Sequence, residues 1–261
     1  MSFSIAVAGK GGCGKTTLAT LVVRYLKKHS LTPVLAIDAD PNQNLGESLG
    51  LEVSQTVGGI IAGFNEDKIS LPPGMTKEAY LEFRLNETLV ESQGLDLLTM
   101  GRGQGDDCYC YPNMVLRKFA DSLLHSYRYM VMDNEAGMEH LSRRTTDNVD
   151  VLLLVANHSV KGVRAVARIA ELVKELKLHV GREMVVINGV PGHLDPLLEE
   201  EMAGLHVEPA ALIPEDSLIE RFDFERRSLL DLPGDSPAAL AADRLVTEIL
   251  SRELTLNKGE K

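Results

Sequence analysis

The run Gly9-Lys10-Gly11-Gly12-Cys13-Gly14-Lys15-Thr16-Thr17 decides the fold. It fits the template G-x-x-x-x-G-K-[ST] and lies between an apolar, strand-like run, Ile5 to Ala8, and a helix-like run beginning at Thr16. A β- and γ-phosphate pair carries more negative charge than one side chain can neutralise. Glycines let the backbone wrap around it with several N–H groups pointing inward, and the following helix adds about half a positive charge at its N-terminus. On this reading Gly11, Gly12, Cys13, Gly14, Lys15, Thr16 and Thr17 form a nucleotide cradle. Lys15 supplies a full charge, and the Thr16 hydroxyl is a Mg²⁺ ligand. A Gly-rich βα turn without a ligand is the plain alternative. Cys13 occupies a variable position that accepts small residues and reads as packing.

Outward from the loop, strand-like runs recur with helical stretches between them: Ser4–Ala8, Pro33–Asp38, Leu95–Met100, Tyr129–Asp133, Val151–Ala156, Met184–Asn188 and Glu208–Ile213. Near-continuous apolar strands alternating with helices predict an α/β fold, a single doubly wound, mostly parallel sheet with helices on both faces. At 261 residues the chain suits one such domain, residues 1–261. Residues 51–94 are less regular, with a Pro-Pro-Gly turn at 72–74, and read as an insertion; the tail Asn257–Lys261 reads as frayed. Ligands of such sheets bind at the carboxyl ends of the strands, where the motifs below all fall.

Charge and composition narrow the partners. With 27 basic against 38 acidic residues the net charge is −11, which disfavours nucleic acid or an anionic membrane surface as the main partner. No apolar run approaches a membrane span, and no N-terminal stretch has the pattern of a secretory signal. Three cysteines, an odd number, do not make a disulfide framework, so the expected setting is a reducing cytoplasm.

Asp38-Ala39-Asp40-Pro41 ends the second strand. Two carboxylates two residues apart share one site only if the strand stops between them, and Pro41 suits such a break. The same residues also suit a turn or a helix cap. Asp133 closes the apolar run Tyr129–Met132 in the manner of a Walker B acid, a Mg²⁺-site residue, and opens into Asn134-Glu135-Ala136-Gly137-Met138-Glu139-His140. A buried helix-capping Asp is its plainer reading. Gly137 would let backbone approach a γ-phosphate and respond to its loss.

Lys10 narrows the class, since an ordinary phosphate loop tolerates almost anything there. Lys-Gly-Gly-x-Gly-Lys-Thr-Thr resembles the deviant Walker A of the MinD/ParA, nitrogenase iron protein and ArsA-type P-loop ATPases. The resemblance implies ATP hydrolysis with Mg²⁺, and a homodimer in which Lys10 reaches across to the partner's phosphates. It further implies that Asp38 sits near Mg²⁺, that Asp40 orients the attacking water in a switch I loop, and that residues after Asp133 form switch II. Asn188, ending the strand Met184–Ile187, would read the adenine edge. Pro214-Glu215-Asp216 would form a second base-contacting loop, with Pro214 and Asp216 as nucleotide-binding residues. Lys10, Lys15 and Asp40 are thus the catalytic candidates, and little covalent chemistry is asked of them.

Asp107-Cys108-Tyr109-Cys110-Tyr111-Pro112 separates this chain from generic relatives. Thiolates suit Zn²⁺, Ni²⁺ or iron–sulfur clusters, yet two sulfurs are half of a tetrahedral set. A two-fold axis placing Cys108 and Cys110 opposite their symmetry mates completes it, one ion per dimer. Two ordinary cysteines flanking an aromatic are the alternative. With Ala136-Gly137-Met138-Glu139-His140-Leu141, the chain resembles the accessory ATPases of carbon monoxide dehydrogenase and their acetyl-CoA synthase counterpart. That likeness implies a metallochaperone handling Ni²⁺ or Zn²⁺ for such a client; His140 belongs to the shared motif without a clear role. A second reading is a carrier of one [4Fe–4S] cluster on the same thiolates, similar to nitrogenase iron protein; that family's second cysteine lies in switch II, and none stands here between Asn134 and Leu141. A third, a positioning ATPase on membrane or DNA, is disfavoured by the acidic balance and by a C-terminal stretch, Pro237–Leu250, that lacks a basic amphipathic anchor.

Overall fold

The computed structural model describes residues 2–65, 71–102, 119, 123, 125–135 and 148–256. In chain order the described elements are β1 (Phe3–Gly9), α1 (Lys15–Lys28), β2 (Val34–Ala39), α2 (Asn44–Leu49), α3 (Val57–Asn65), α4 (Lys77–Asn86), β3 (Leu89–Ser92), β4 (Leu95–Thr99) and β5 (Tyr129–Asn134). There follow β6 (Asn148–Asn157), α5 (Val160–Glu175), β7 (His179–Val190), α6 (Pro196–Gly204), β8 (Pro209–Pro214), α7 (Ser217–Phe224), a short 3-10 turn (Leu229–Asp231) and α8 (Pro237–Leu256).

The strands form one sheet in the order β3-β4-β2-β5-β1-β6-β7-β8. β3 runs antiparallel to β4, and the other pairings are parallel. The doubly wound sheet expected from the apolar runs is therefore present. Alternate residues of each central strand go to opposite faces, and both faces are covered. On one, Val7, Ala36, Val131 and Leu153 pack with Leu18 and Val22 of α1, Leu45 of α2 and Leu245 of α8. On the other, Ala6, Met132, Leu152 and Leu154 pack with Val163 and Val166 of α5 and Leu198 of α6, while Leu35 and Leu98 meet Leu81 and Leu85 of α4.

All seven expected strands are found, with shifted ends. β7 starts at His179, ahead of the apolar run at Met184, since its first half alternates between exposed and half-buried residues and so carries no apolar run to read. β3 was not anticipated: it has four residues, half-buried then exposed, at the sheet's edge. Its signal is the Gln93-Gly94 pair before β4, where Gly94 takes a φ of +72° in a two-residue hairpin turn. Residues 51–94 thus carry α3, α4 and β3. Among the described residues no helix is long and apolar enough to cross a membrane. The tail 257–261 lies outside the described residues.

β1 is central, with β5 on one side and β6 on the other. Chain winding reverses there, so the loop leaving β1 opens at the switch point where α/β sheets bind ligands.

Candidate nucleotide site

The loop leaves β1 at Gly9 and enters α1 at Lys15. Gly12 and Gly14 have φ of +75° and +90°, a backbone that side chains disfavour. Gly14 has a second constraint, since a Cβ there would stand 2.0 Å from Asn188 Nδ2. With Gly14 at the N-cap, no side chain caps α1, and its first amides stay available to an anion. Lys15 is buried, and its Nζ donates to the Lys10 carbonyl at 3.5 Å, lying back across the loop. The Lys10 side chain is exposed. Cys13 packs in the core, and burial raises its thiol pKa despite nearby Lys15, consistent with packing rather than chemistry.

Register brings the acids together. Asp38 pairs with Asp133 across β2 and β5, and both are fully buried. Thr16 Oγ1 donates to Asp133 Oδ2 at 2.5 Å, while Asp133 Oδ1 has no hydrogen-bond partner. Burial pushes the Asp133 carboxyl up to about 7; the Thr16 bond and Lys15 pull it down, and Asp38 and Asp40 push it further up. Asp38 is raised to about 6, again by burial first, although its oxygens accept amides from Asp40 (3.0 Å) and Leu45 (2.9 Å). β2 ends at Ala39, so Asp40 lies past the strand as the two-carboxylate spacing required. Its Oδ1 accepts from both the amide and the side chain of Asn42, at 2.9 Å each.

The base-side candidates lie on neighbouring strands. Asn188 Nδ2 donates to the Cys13 carbonyl at 3.0 Å, so this residue is joined to the phosphate loop itself. β8 ends at Pro214, and Asp216 caps α7, accepting from Leu218 N at 3.0 Å. Asp216 Oδ2 accepts from Ser236 Oγ (2.6 Å) and Ala238 N (3.2 Å) at the start of α8. Its carboxylate thus joins the starts of α7 and α8. Cys108, Cys110, Gly137 and His140 lie outside the described residues. The sequence reading missed Thr99, at the end of β4 in register with Asp38, and gave no separate role to Asn134, whose side chain donates to the Val7 carbonyl at 3.0 Å and ties β5 to β1.

The family model described as the CobQ/CobB/MinD/ParA nucleotide binding domain matches residues 4–229. The chain belongs to that family. This MinD/ParA-type protein is an ATPase. It is 38% identical, over 95% of its own length and 99% of the relative's, to an uncharacterized ATP-binding protein of Methanocaldococcus jannaschii. To the carbon monoxide dehydrogenase accessory protein CooC of Rhodospirillum rubrum it is 28% identical, covering 95% and 96% of the two chains. The fold is similar to the MinC:MinD cell division protein complex of Aquifex aeolicus, with a TM-score of 0.70, 23% identity and 96% of each chain covered.

ATP and Mg²⁺ follow from this membership, and the donor set fits the ion. Mg²⁺ takes oxygen ligands and uses one or two protein groups beside phosphates and water. Thr16 and the unpartnered Asp133 oxygen, with Asp38 alongside, are of that kind. Bound there, the ion would neutralise phosphate charge. Among the described residues no group of three or more His, Cys, Asp or Glu is placed to hold a metal.

Proposed function

We propose that this ATPase is a metallochaperone whose nucleotide-dependent homodimer handles Ni²⁺ for a carbon monoxide dehydrogenase or acetyl-CoA synthase client. The observation that carries the reading is the Cys108-x-Cys110 pair in a chain similar over nearly its whole length to an accessory protein of carbon monoxide dehydrogenase. Two thiolates from each protomer supply a tetrahedral set for Ni²⁺ or Zn²⁺ at a two-fold axis.

In this reading Lys15 neutralises the phosphates of its own protomer. Lys10, exposed at the loop, reaches those of the partner. Asp40 leaves Asn42 to orient the attacking water, and Thr16, Asp38 and Asp133 hold the Mg²⁺ shell. Asn188, Pro214 and Asp216 frame the base, the last by positioning its loop, and Gly137 senses the γ-phosphate. Each turnover changes the dimer and so the geometry of its four thiolates. The protein works in the cytoplasm, without nucleic acid or membrane as partner.

The test is anaerobic Ni²⁺ and Zn²⁺ binding at equilibrium, read with elemental and sulfide analysis of the same sample. About 0.5 ion per chain without sulfide is expected, lost in Cys108→Ala/Cys110→Ala. A double variant binding Ni²⁺ as tightly as wild type would sink the proposal. About 2 Fe per chain with matching sulfide would replace it with a bridging [4Fe–4S] cluster.

A further inference from the structure

Among the described residues, two buried side-chain oxygens lack a hydrogen-bond partner, Asp133 Oδ1 near the end of β5 and Thr99 Oγ1 at the end of β4, with β2 lying between those two strands. Thr99 closes β4, is fully buried, and pairs in register with Asp38, which pairs in turn with Asp133. Side chains alternate along a strand, so in-register residues of parallel neighbours share a face. Thr99, Asp38 and Asp133 therefore form one row across β4, β2 and β5, on the face covered by α1 and α2. The Met100 amide donates to the Asp38 carbonyl at 2.8 Å, which locks the two strand ends side by side.

A buried hydroxyl with no partner destabilises the state in which it is found. Asp38 is its in-register neighbour, but with the carboxylate oriented by the amides of Asp40 and Leu45 the Thr99 hydroxyl makes no bond to it. Those two bonds hold the turn between β2 and α2, which carries its own strain. Gln43, not a glycine, has a φ of +57°, and α2 starts there without a side-chain cap. Within the turn Asp40 spends one oxygen on Asn42. A shift of this strained turn when nucleotide binds would reorient the Asp38 carboxylate beside a hydroxyl in need of an acceptor.

We infer that Thr99 is a positioning residue of the nucleotide site. Its hydroxyl donates to the Asp38 carboxylate once the turn releases it in the Mg-ATP state, and it holds that carboxylate along the row toward Asp133. The inference rests on the reading of Asp38 as a nucleotide-site residue. It adds a partner supplied by β4, the strand that precedes Cys108 and Cys110 in sequence.

Thr99→Val removes the hydroxyl at nearly constant shape, and Thr99→Ser retains it. Thermal unfolding without nucleotide, and the Kd for Mg-AMPPNP on the full chain, separate the outcomes. Thr99→Val should melt about 2–4 °C higher without nucleotide, because an unsatisfied group is gone. It should bind Mg-AMPPNP about 5- to 10-fold more weakly, with Thr99→Ser within twofold of wild type. Thr99→Val within twofold of wild type in Kd would overturn the inference, as would equal weakening by Val and Ser. If Thr99→Val does not fold, Thr99→Ala is judged against Thr99→Ser by the same ratio. Asp38→Asn tests the underlying reading separately: wild-type affinity there would remove Asp38 from the site, and Thr99 with it.

Discussion

Asp133 and Asp216 both follow apolar strand runs, and the sequence alone marks both as nucleotide-site candidates, yet the fold treats them in opposite ways. Asp133 is fully buried, with one oxygen bonded to Thr16 and the other without a partner. Asp216 has Leu218 N on one oxygen and Ser236 Oγ and Ala238 N on the other, joining the starts of α7 and α8. A protein seldom leaves a buried carboxylate oxygen unsatisfied, because the desolvation is not returned. The function proposed above supplies a partner from outside the chain for the open Asp133 oxygen, Mg²⁺ with its nucleotide. The carboxylate of Asp216, with bonds on both oxygens, acts as scaffold between two helix starts.

The strongest way to break this contrast is on the phosphate side. Lys15→Ala should weaken ATP binding by about 1,000-fold, since a buried charge that meets the phosphates is lost. Calorimetric titration showing wild-type affinity would detach the loop from the nucleotide. Next comes the ionisation of Asp133. Its folded pKa, about 7, lies above the unfolded value of 3.8, so the folded state binds the extra proton between them. Stability without nucleotide should therefore fall as pH rises from about 4 to 7, with Asp38 adding the same sign, and level off above. Asp133→Asn should remove much of that slope, be more stable than wild type at pH 8 by on the order of 2–3 kcal/mol, and bind Mg-ATP more weakly. A melting profile against pH that Asp133→Asn leaves unchanged would contradict it. The smallest effect is expected on the scaffold side. Asp216→Ala should cost about 1–2 kcal/mol of stability, seen as a Tm lower by about 3–6 °C, while ATP affinity stays within twofold. Unchanged Tm with collapsed affinity would reverse the two roles.

Particular residues show why some of this was legible. The loop Gly9–Thr17 could be read because its demands are local: positive φ at Gly12 and Gly14, and one lysine and one hydroxyl at the helix start. Asp40 could be placed beyond the strand because Pro41 follows it. Thr99 could not be found, since nothing near it in sequence shows that it stands beside Asp38, 61 positions away and joined only through the pairing of β4 with β2. β3 was lost for a different reason, being too short and too exposed at the edge to carry an apolar run.

By itself, then, the sequence determined a parallel α/β sheet, a phosphate loop at the end of its first strand, and the acids that close the second and fifth. Apolar period, glycine torsions and strand-ending residues act over a few positions and need no distant partner. Tertiary packing alone leaves an Asp133 oxygen unsatisfied, engages Asp216 beyond the eighth strand at two helix starts, and lines up Thr99 with Asp38. Hydrogen-bond saturation depends on strand register and on helices brought together across the sheet, as Ser236 and Ala238 are brought to Asp216 and Thr16 to Asp133.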